Sequence, residues 1–172
     1  MASILGQYYS ATPKQRENGR NWYKLAHLVA TEYALRYHTS VSAAAGVIAA
    51  LSPMKSWSQN LKLAADCLAG GVPRHMGANA RLACAIRDGA EPDVALRGRK
   101  TAAFWRAIMG DENAVVIDRW MIRALGLPDS TRLTPNQYDT LAAIVTSEAA
   151  IADATPAQFQ AVVWCAIRGR SF

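Results

Sequence analysis

Apolar residues recur every three or four positions along most of the chain, which is the spacing of one helix face. The first such run predicts a long amphipathic helix from Thr12-Pro13 to about His38. Its apolar positions are Trp22, Leu25, Leu28, Val29 and Tyr33. No stretch alternates apolar and polar residues for long enough to predict a sheet. We therefore expect an all-α fold.

Capping residues and helix breakers mark the helices that follow. Thr39 or Ser40 can cap a second helix, which Pro53 ends. Ser56 caps a third helix, which Gly70-Gly71 closes. Further helices are predicted at 78–87, after Pro92 as far as Gly98, at 99–109, from Asp118, after Thr134-Pro135 and after Thr155-Pro156. Residues 114–117 are predicted as a brief extended stretch.

Length and composition favour a globular protein with an anionic partner. The 172 residues are 51% hydrophobic and 19% charged, so we expect one compact domain over residues 1–172, built of two interleaved helical lobes. The net charge of +6 is carried by 14 arginines and only 5 lysines. This balance suits an anionic partner, and the planar guanidinium group of arginine suits phosphate in particular.

Cysteine usage and hydropathy make other classes of protein less expected. The three cysteines lie far apart in apolar runs, which is typical of buried, reduced thiols. No CxxC pair or His/Cys cluster predicts a metal site or another cofactor. The N-terminal sequence lacks the features of a signal peptide, and the apolar stretch 43–51 is too short to span a bilayer. We expect a monomer, without membrane contact, in the cytoplasm of a bacterium or a phage-infected host cell.

The strongest chemical signal lies between residues 96 and 127. Lys100 begins a helix directly after the basic turn Gly98-Arg99, and Asp118 opens a later helix. Backbone amides at such a turn and helix start can bind phosphate. If the chain between them folds back, the amine and the carboxylate can share one cleft. Taken alone, Lys100 is an ordinary helix lysine and Asp118 an ordinary helix cap.

This region resembles the helix-hairpin-helix DNA glycosylases of the endonuclease III type. Residues 98–102, GRKTA, resemble the second half of the family's LPGVGRKTA hairpin, and 116–118 with Arg123 resemble its VDTHxxR segment. Lys100 and Asp118 have the separation of the lysine and aspartate in lyase-type members. Residues 50–54 resemble the LLSAQ-T stretch, and 164–170 resemble the WLILHGR run. The resemblance extends from about residue 40 to the C-terminus, with the hairpin and catalytic segment at about 90–126.

The sequence departs from the family at several positions. Residues 94–97 lack the hairpin's proline and first glycine. Met54 replaces a glutamine that wedges into DNA, and Arg119-Trp120 replace the threonine and histidine. The four-cysteine iron–sulfur loop of many relatives has no counterpart in the sequence.

The resemblance implies two helical lobes and chemistry on a nucleotide flipped out of double-stranded DNA. Lys100 would attack C1′ and displace the base, giving a Schiff base and then strand cleavage. Asp118 would accept the lysine proton or stabilise the developing positive charge. The implied DNA contacts are Arg97, Gly98, Arg99, Thr101, Met54, Lys55 and Arg119. The implied base pocket consists of Trp57, Trp120 and Asn60.

Several of these residues also fit a purely structural role. Met54-Lys55 fits a plain exposed loop as well as a DNA wedge. Trp57, Trp105 and Trp164 fit core positions, with base stacking as the alternative for Trp57 and Trp120.

The resemblance and its departures are compatible with three alternative functions. The first is a DNA glycosylase, with or without lyase activity, for a damaged or modified base. The second is an enzyme of the same fold from phage DNA hypermodification, of the kind called glutamyl- or putrescinyl-thymine pyrophosphorylase. It would join an amine or amino acid to a pyrophosphorylated hydroxymethyl pyrimidine and leave the glycosidic bond intact. The third is a non-catalytic DNA-binding module.

Overall fold

Helices are the regular secondary structure of residues 3–169, the part of the chain that the computed structural model describes. They are α1 (Ile4–Ser10), α2 (Pro13–Arg36), α3 (Val41–Leu51), α4 (Trp57–Leu68), α5 (Gly77–Arg87), α6 (Pro92–Ala95), α7 (Arg99–Ile108), α8 (Arg119–Ala124), α9 (Pro135–Ile151) and α10 (Pro156–Arg168). No strand occurs between residues 3 and 169. The predicted all-α class is confirmed.

Local capping chemistry places most helix starts where the sequence predicts them. Ser40, rather than Thr39, caps α3. Ser56 and Thr134 each form a capping box with the glutamine three residues later, and Thr155 caps α10. Each hydroxyl satisfies a backbone N–H that the first helical turn leaves without a partner. Helix α1 was not predicted, because its seven residues are too few to show a helical period.

Two compact units make up the chain. Among the described residues, the terminal unit combines residues 3–24 with residues 110–169, and the central unit comprises residues 25–109. Helix α2 therefore begins in the terminal unit and ends in the central unit. No helix within residues 3–169 has the length and apolar character that crossing a membrane requires.

The terminal unit is organised around α10, which packs against α1, α8 and α9. Tyr8 stacks on Phe159 with ring centroids 4.8 Å apart. Helix α2 approaches α10 so closely at Gly19 that a Cβ there would lie 2.5 Å from the Val162 Cα atom. The buried core of this unit also contains Met121 and Val145.

The central unit surrounds α3, whose residues from Ala44 to Leu51 are all buried. Helices α4, α5 and α7 pack against it. The small side chains of this alanine-rich helix allow its neighbours to approach closely. The indole N–H of Trp105 donates to the Ser42 carbonyl oxygen at 3.2 Å, which joins α7 to the start of α3. Trp105 is half-buried, so it lies at the edge of the core rather than within it.

Candidate functional site

Asp118 is the N-cap of α8, and its side chain is half-buried. Its Oδ1 atom accepts a hydrogen bond of 2.9 Å from the backbone N–H of Met121. The carboxylate therefore has a structural role as a helix cap. A cap of this kind employs one carboxylate oxygen, so it is compatible with a chemical role for the other.

The segment before Asp118, residues 114–117, for which the sequence predicts a brief extended stretch, is buried and belongs to no helix or strand. Side chains take the place of a neighbouring strand. The Gln160 Oε1 atom accepts from the Val116 backbone N–H at 2.6 Å, and its Nε2 atom lies 3.5 Å from the Ala114 carbonyl oxygen. Gln160 itself is 2% exposed.

Tyr138 of α9 holds the same segment from a second helix. Its hydroxyl donates to the Val115 carbonyl oxygen at 2.9 Å and accepts from the Ile117 N–H at 3.1 Å. Buried backbone groups need such partners. Together, Gln160 and Tyr138 fix the backbone that leads directly into Asp118.

Tyr23 of α2 joins this network through Gln160. The Gln160 Nε2 atom donates to the Tyr23 hydroxyl oxygen at 2.7 Å. The pKa of Tyr23 lies well above its ordinary value, first because of burial and then because of Asp118 and Tyr138. The hydrogen bond from Gln160 acts in the opposite direction. Tyr23 is therefore a neutral phenol, and the charge of Asp118 contributes to its raised pKa.

Trp120, predicted for the base pocket, lies under two guanidinium groups. The Arg123 Cζ atom is 4.5 Å from its ring centroid, and the Arg168 Cζ atom is 5.5 Å away. Arg168 also lies 4.5 Å from the ring centroid of Trp164. Arg123 is itself paired with Asp129 through two hydrogen bonds. Stacking of a base on a covered face of Trp120 would require an arginine to move.

The predicted hairpin consists of α6, a short connection at 96–98, and α7. Leu96 is buried and anchors the connection, whereas Arg97, Gly98 and Arg99 are exposed. Gly98 is the N-cap of α7 and provides no side chain for the first-turn amides. The Thr101 hydroxyl closes this turn by donating to the Gly98 carbonyl oxygen at 2.9 Å.

The α3–α4 connection carries Met54 and Lys55, both of which are exposed. Met54 has a φ of 62°, in the left-handed region that side chains other than glycine rarely adopt. Trp57 opens α4 and is half-buried. Asn60 is 2% exposed, and its Oδ1 atom has no hydrogen-bond partner within the described part of the chain. Because Asn60 is buried, it can contact a base only if the side chains that cover it move.

The family described as "Family of unknown function (DUF7178)" matches residues 1–171. The chain belongs to this family. No curated protein and no solved structure matches it.

The predicted residues of this DUF7178 member are distributed over both units. The central unit contains Lys100 and the predicted DNA contacts of the hairpin. It also contains the predicted residues of the α3–α4 connection and of α4. The hairpin contacts are Arg97, Gly98, Arg99 and Thr101, and the others are Met54, Lys55, Trp57 and Asn60. The terminal unit contains Asp118, Arg119 and Trp120. Ten of the 19 basic residues and five of the 13 acidic residues lie in the central unit, so it carries a net charge of +5 out of +6.

Sequence reasoning missed Tyr23, Tyr138 and Gln160. The available signal was Gln160, a polar residue within an apolar helical run, which indicates a buried polar contact. Among residues 3–169, no group of three or more His, Cys, Asp or Glu side chains is arranged to hold a metal ion.

Proposed function

We propose that this protein is a DNA glycosylase that acts on a damaged or modified base flipped out of the duplex. The observation that carries the proposal is the pair of helix starts occupied by Lys100 and Asp118. Lys100 is the second residue of α7, and Asp118 caps α8 eighteen positions later. This separation matches the lysine and aspartate of the lyase-type glycosylases that the sequence resembles.

The α6–α7 hairpin supports DNA as the substrate. Its exposed turn presents two arginines, Arg97 and Arg99, beside the start of a ten-residue helix. Positive charge and backbone N–H groups at a helix start together favour phosphate. Such contacts read the DNA backbone rather than the base sequence. Binding should therefore tolerate different sequences and weaken as salt is added.

The proposed reaction begins with the Lys100 amine. Its Nζ atom bonds to C1′ of the flipped nucleotide while the bond from C1′ to the base breaks, and the base leaves with the bonding electron pair. Asp118 accepts the proton from the lysine nitrogen or stabilises positive charge developing on the sugar. Gln160 and Tyr138 hold the backbone at Val116 and Ile117, directly before Asp118. These hydrogen bonds would keep the carboxylate in place without rearrangement during the reaction.

Base modification without cleavage is the second candidate. The observation in its favour is Trp120, which lies where glycosylases of this type have a histidine and which is packed against Arg123. A different residue two positions after the proposed catalytic aspartate favours a different reaction. In this alternative the glycosidic bond stays intact, and an amine or amino acid displaces pyrophosphate from a pyrophosphorylated hydroxymethyl pyrimidine.

One experiment separates these reactions. The full chain is incubated with duplexes that each carry one modified or damaged base, and abasic sites, nicks, borohydride-trapped adducts and pyrophosphate are measured. A glycosylase gives abasic sites, and with lyase activity it also gives nicks and a trapped adduct that Lys100→Ala abolishes. Pyrophosphate without abasic sites identifies base modification. DNA binding with none of these products across the panel would overturn the enzymatic proposal and leave a binding module.

A further inference from the structure

The side chain of Gln160 has one possible orientation in the buried network around Asp118. The backbone N–H of Val116 can only donate, so the Gln160 atom 2.6 Å away must be the carbonyl Oε1. The Nε2 atom therefore faces Tyr23 at 2.7 Å. Because an amide nitrogen can only donate, the Tyr23 oxygen must accept this hydrogen bond.

This orientation determines what Tyr23 can do. Its oxygen accepts from Gln160, so its own proton must be directed at an acceptor other than Gln160. Through Gln160, Tyr23 is joined to the backbone N–H of Val116, two residues before Asp118, and the charge of Asp118 acts on Tyr23. One oxygen of that carboxylate already accepts the N–H of Met121. The remaining oxygen is a suitable acceptor for a phenol proton.

We infer that Tyr23 is a positioning residue for Asp118, with a hydroxyl that Gln160 orients and that donates to the carboxylate oxygen not used by the helix cap. This inference rests on the proposed function for its catalytic consequence. Two fixed hydrogen bonds would set both the position and the rotation of the carboxylate. Burial and the neighbouring negative charge raise the pKa of Tyr23, which keeps the phenol protonated and able to donate.

The first test needs no substrate. The protein is labelled with ¹³C at the tyrosine Cζ atom, and the ionisation of Tyr23 is followed by NMR as the pH is raised. In Asp118→Asn, the Tyr23 pKa should fall, because the carboxylate that opposes ionisation is gone. Asp153→Asn, which removes another carboxylate of the same unit, should leave the Tyr23 pKa unchanged. An unchanged Tyr23 pKa in Asp118→Asn would overturn the inference.

The second test measures turnover on a substrate that the wild-type protein converts. Tyr23→Phe keeps the ring and removes the hydroxyl, so kcat should fall roughly tenfold while KM changes little. Gln160→Glu retains an acceptor for Val116 but replaces the donor to Tyr23 by an acceptor, which turns the phenol proton away from Asp118. It should lower kcat similarly if circular dichroism shows that it folds. Wild-type kcat in Tyr23→Phe would overturn the positioning role.

The two tests distinguish this inference from the proposed function. If the wild-type protein converts no base, the proposed function fails, whereas the Tyr23 titration still decides whether Tyr23 and Asp118 interact. If conversion is lost in Asp118→Asn while Tyr23→Phe is fully active, the proposed function stands and the role of Tyr23 is refuted.

Discussion

The side-chain carbonyl of Gln160 accepts a 2.6 Å hydrogen bond from the backbone N–H of Val116, 44 residues earlier in the chain. This contact replaces the strand partner that an isolated buried segment lacks. It lies two residues before Asp118, so α10 helps to set the position of the proposed catalytic carboxylate. The stability of the terminal unit and the geometry of the candidate site therefore depend on the same amide group.

Replacing Gln160 by leucine should destabilise the protein substantially. Leucine is apolar, so the buried N–H of Val116 loses its acceptor and the Tyr23 hydroxyl loses its donor. Leaving one buried backbone group unsatisfied costs about 1–3 kcal/mol. The free energy of unfolding, measured in urea, should fall by at least this amount. Gln158→Leu, on the same helix at a half-buried position, is the control and should change it much less.

Gly19 provides a test of the close approach between α2 and α10. A Cβ at this position would lie 2.5 Å from both the Cα and the N atom of Val162, and this backbone cannot move aside alone. Gly19→Ala should therefore lower the free energy of unfolding by roughly 1–3 kcal/mol. Gly77→Ala should instead raise it by about 0.5 kcal/mol, because its Cβ meets only the flexible end of Arg81 at 3.3 Å. A neutral Gly19→Ala variant would contradict this packing.

Much of the helical order could be predicted because caps are local. Ser56 and Gln59 lie three residues apart, and their capping box can be read directly from the sequence. The start of α8 can be predicted in the same way from its N-cap, Asp118. The contact between Gln160 and Tyr23 joins residues 137 positions apart, and it results from the packing of α2 and α10. No local pattern encodes such a contact.

Met54 provides a test of strain at an exposed loop. Its φ of 62° costs a residue with a side chain about 1–2 kcal/mol relative to glycine. Met54→Gly should therefore raise the free energy of unfolding by about 1 kcal/mol. Met54→Ala keeps the strain and should be nearly neutral, because the Met54 residue is 70% exposed. If the side chain is a DNA wedge, both variants should lose activity on duplex substrates. A Met54→Gly variant with full activity would exclude the wedge.

Arg99 should contribute to DNA affinity through a phosphate contact. Arg99→Ala is expected to weaken binding equally for unrelated sequences and to reduce the slope of log K against log salt by about one unit. The measurement is fluorescence anisotropy with a labelled duplex at several salt concentrations. Arg106→Ala, an exposed arginine near the other end of α7, is the matched control. Equal slopes for wild type and Arg99→Ala would show that the hairpin turn does not contact phosphate.

Asp118 requires two substitutions, because the structure gives it a helix cap in addition to the proposed chemistry. Asparagine caps helices as well as aspartate does, whereas alanine cannot accept the Met121 N–H. Asp118→Ala should therefore lower the free energy of unfolding by about 1 kcal/mol, and Asp118→Asn should change it much less. If the carboxylate stabilises the transition state, both variants should lose turnover by roughly 100- to 1,000-fold, with DNA affinity retained. Full activity in Asp118→Asn together with lower stability in Asp118→Ala would show that the residue is only a cap. Loss of activity in both, with stability lost only in Asp118→Ala, would separate the catalytic role from the structural one.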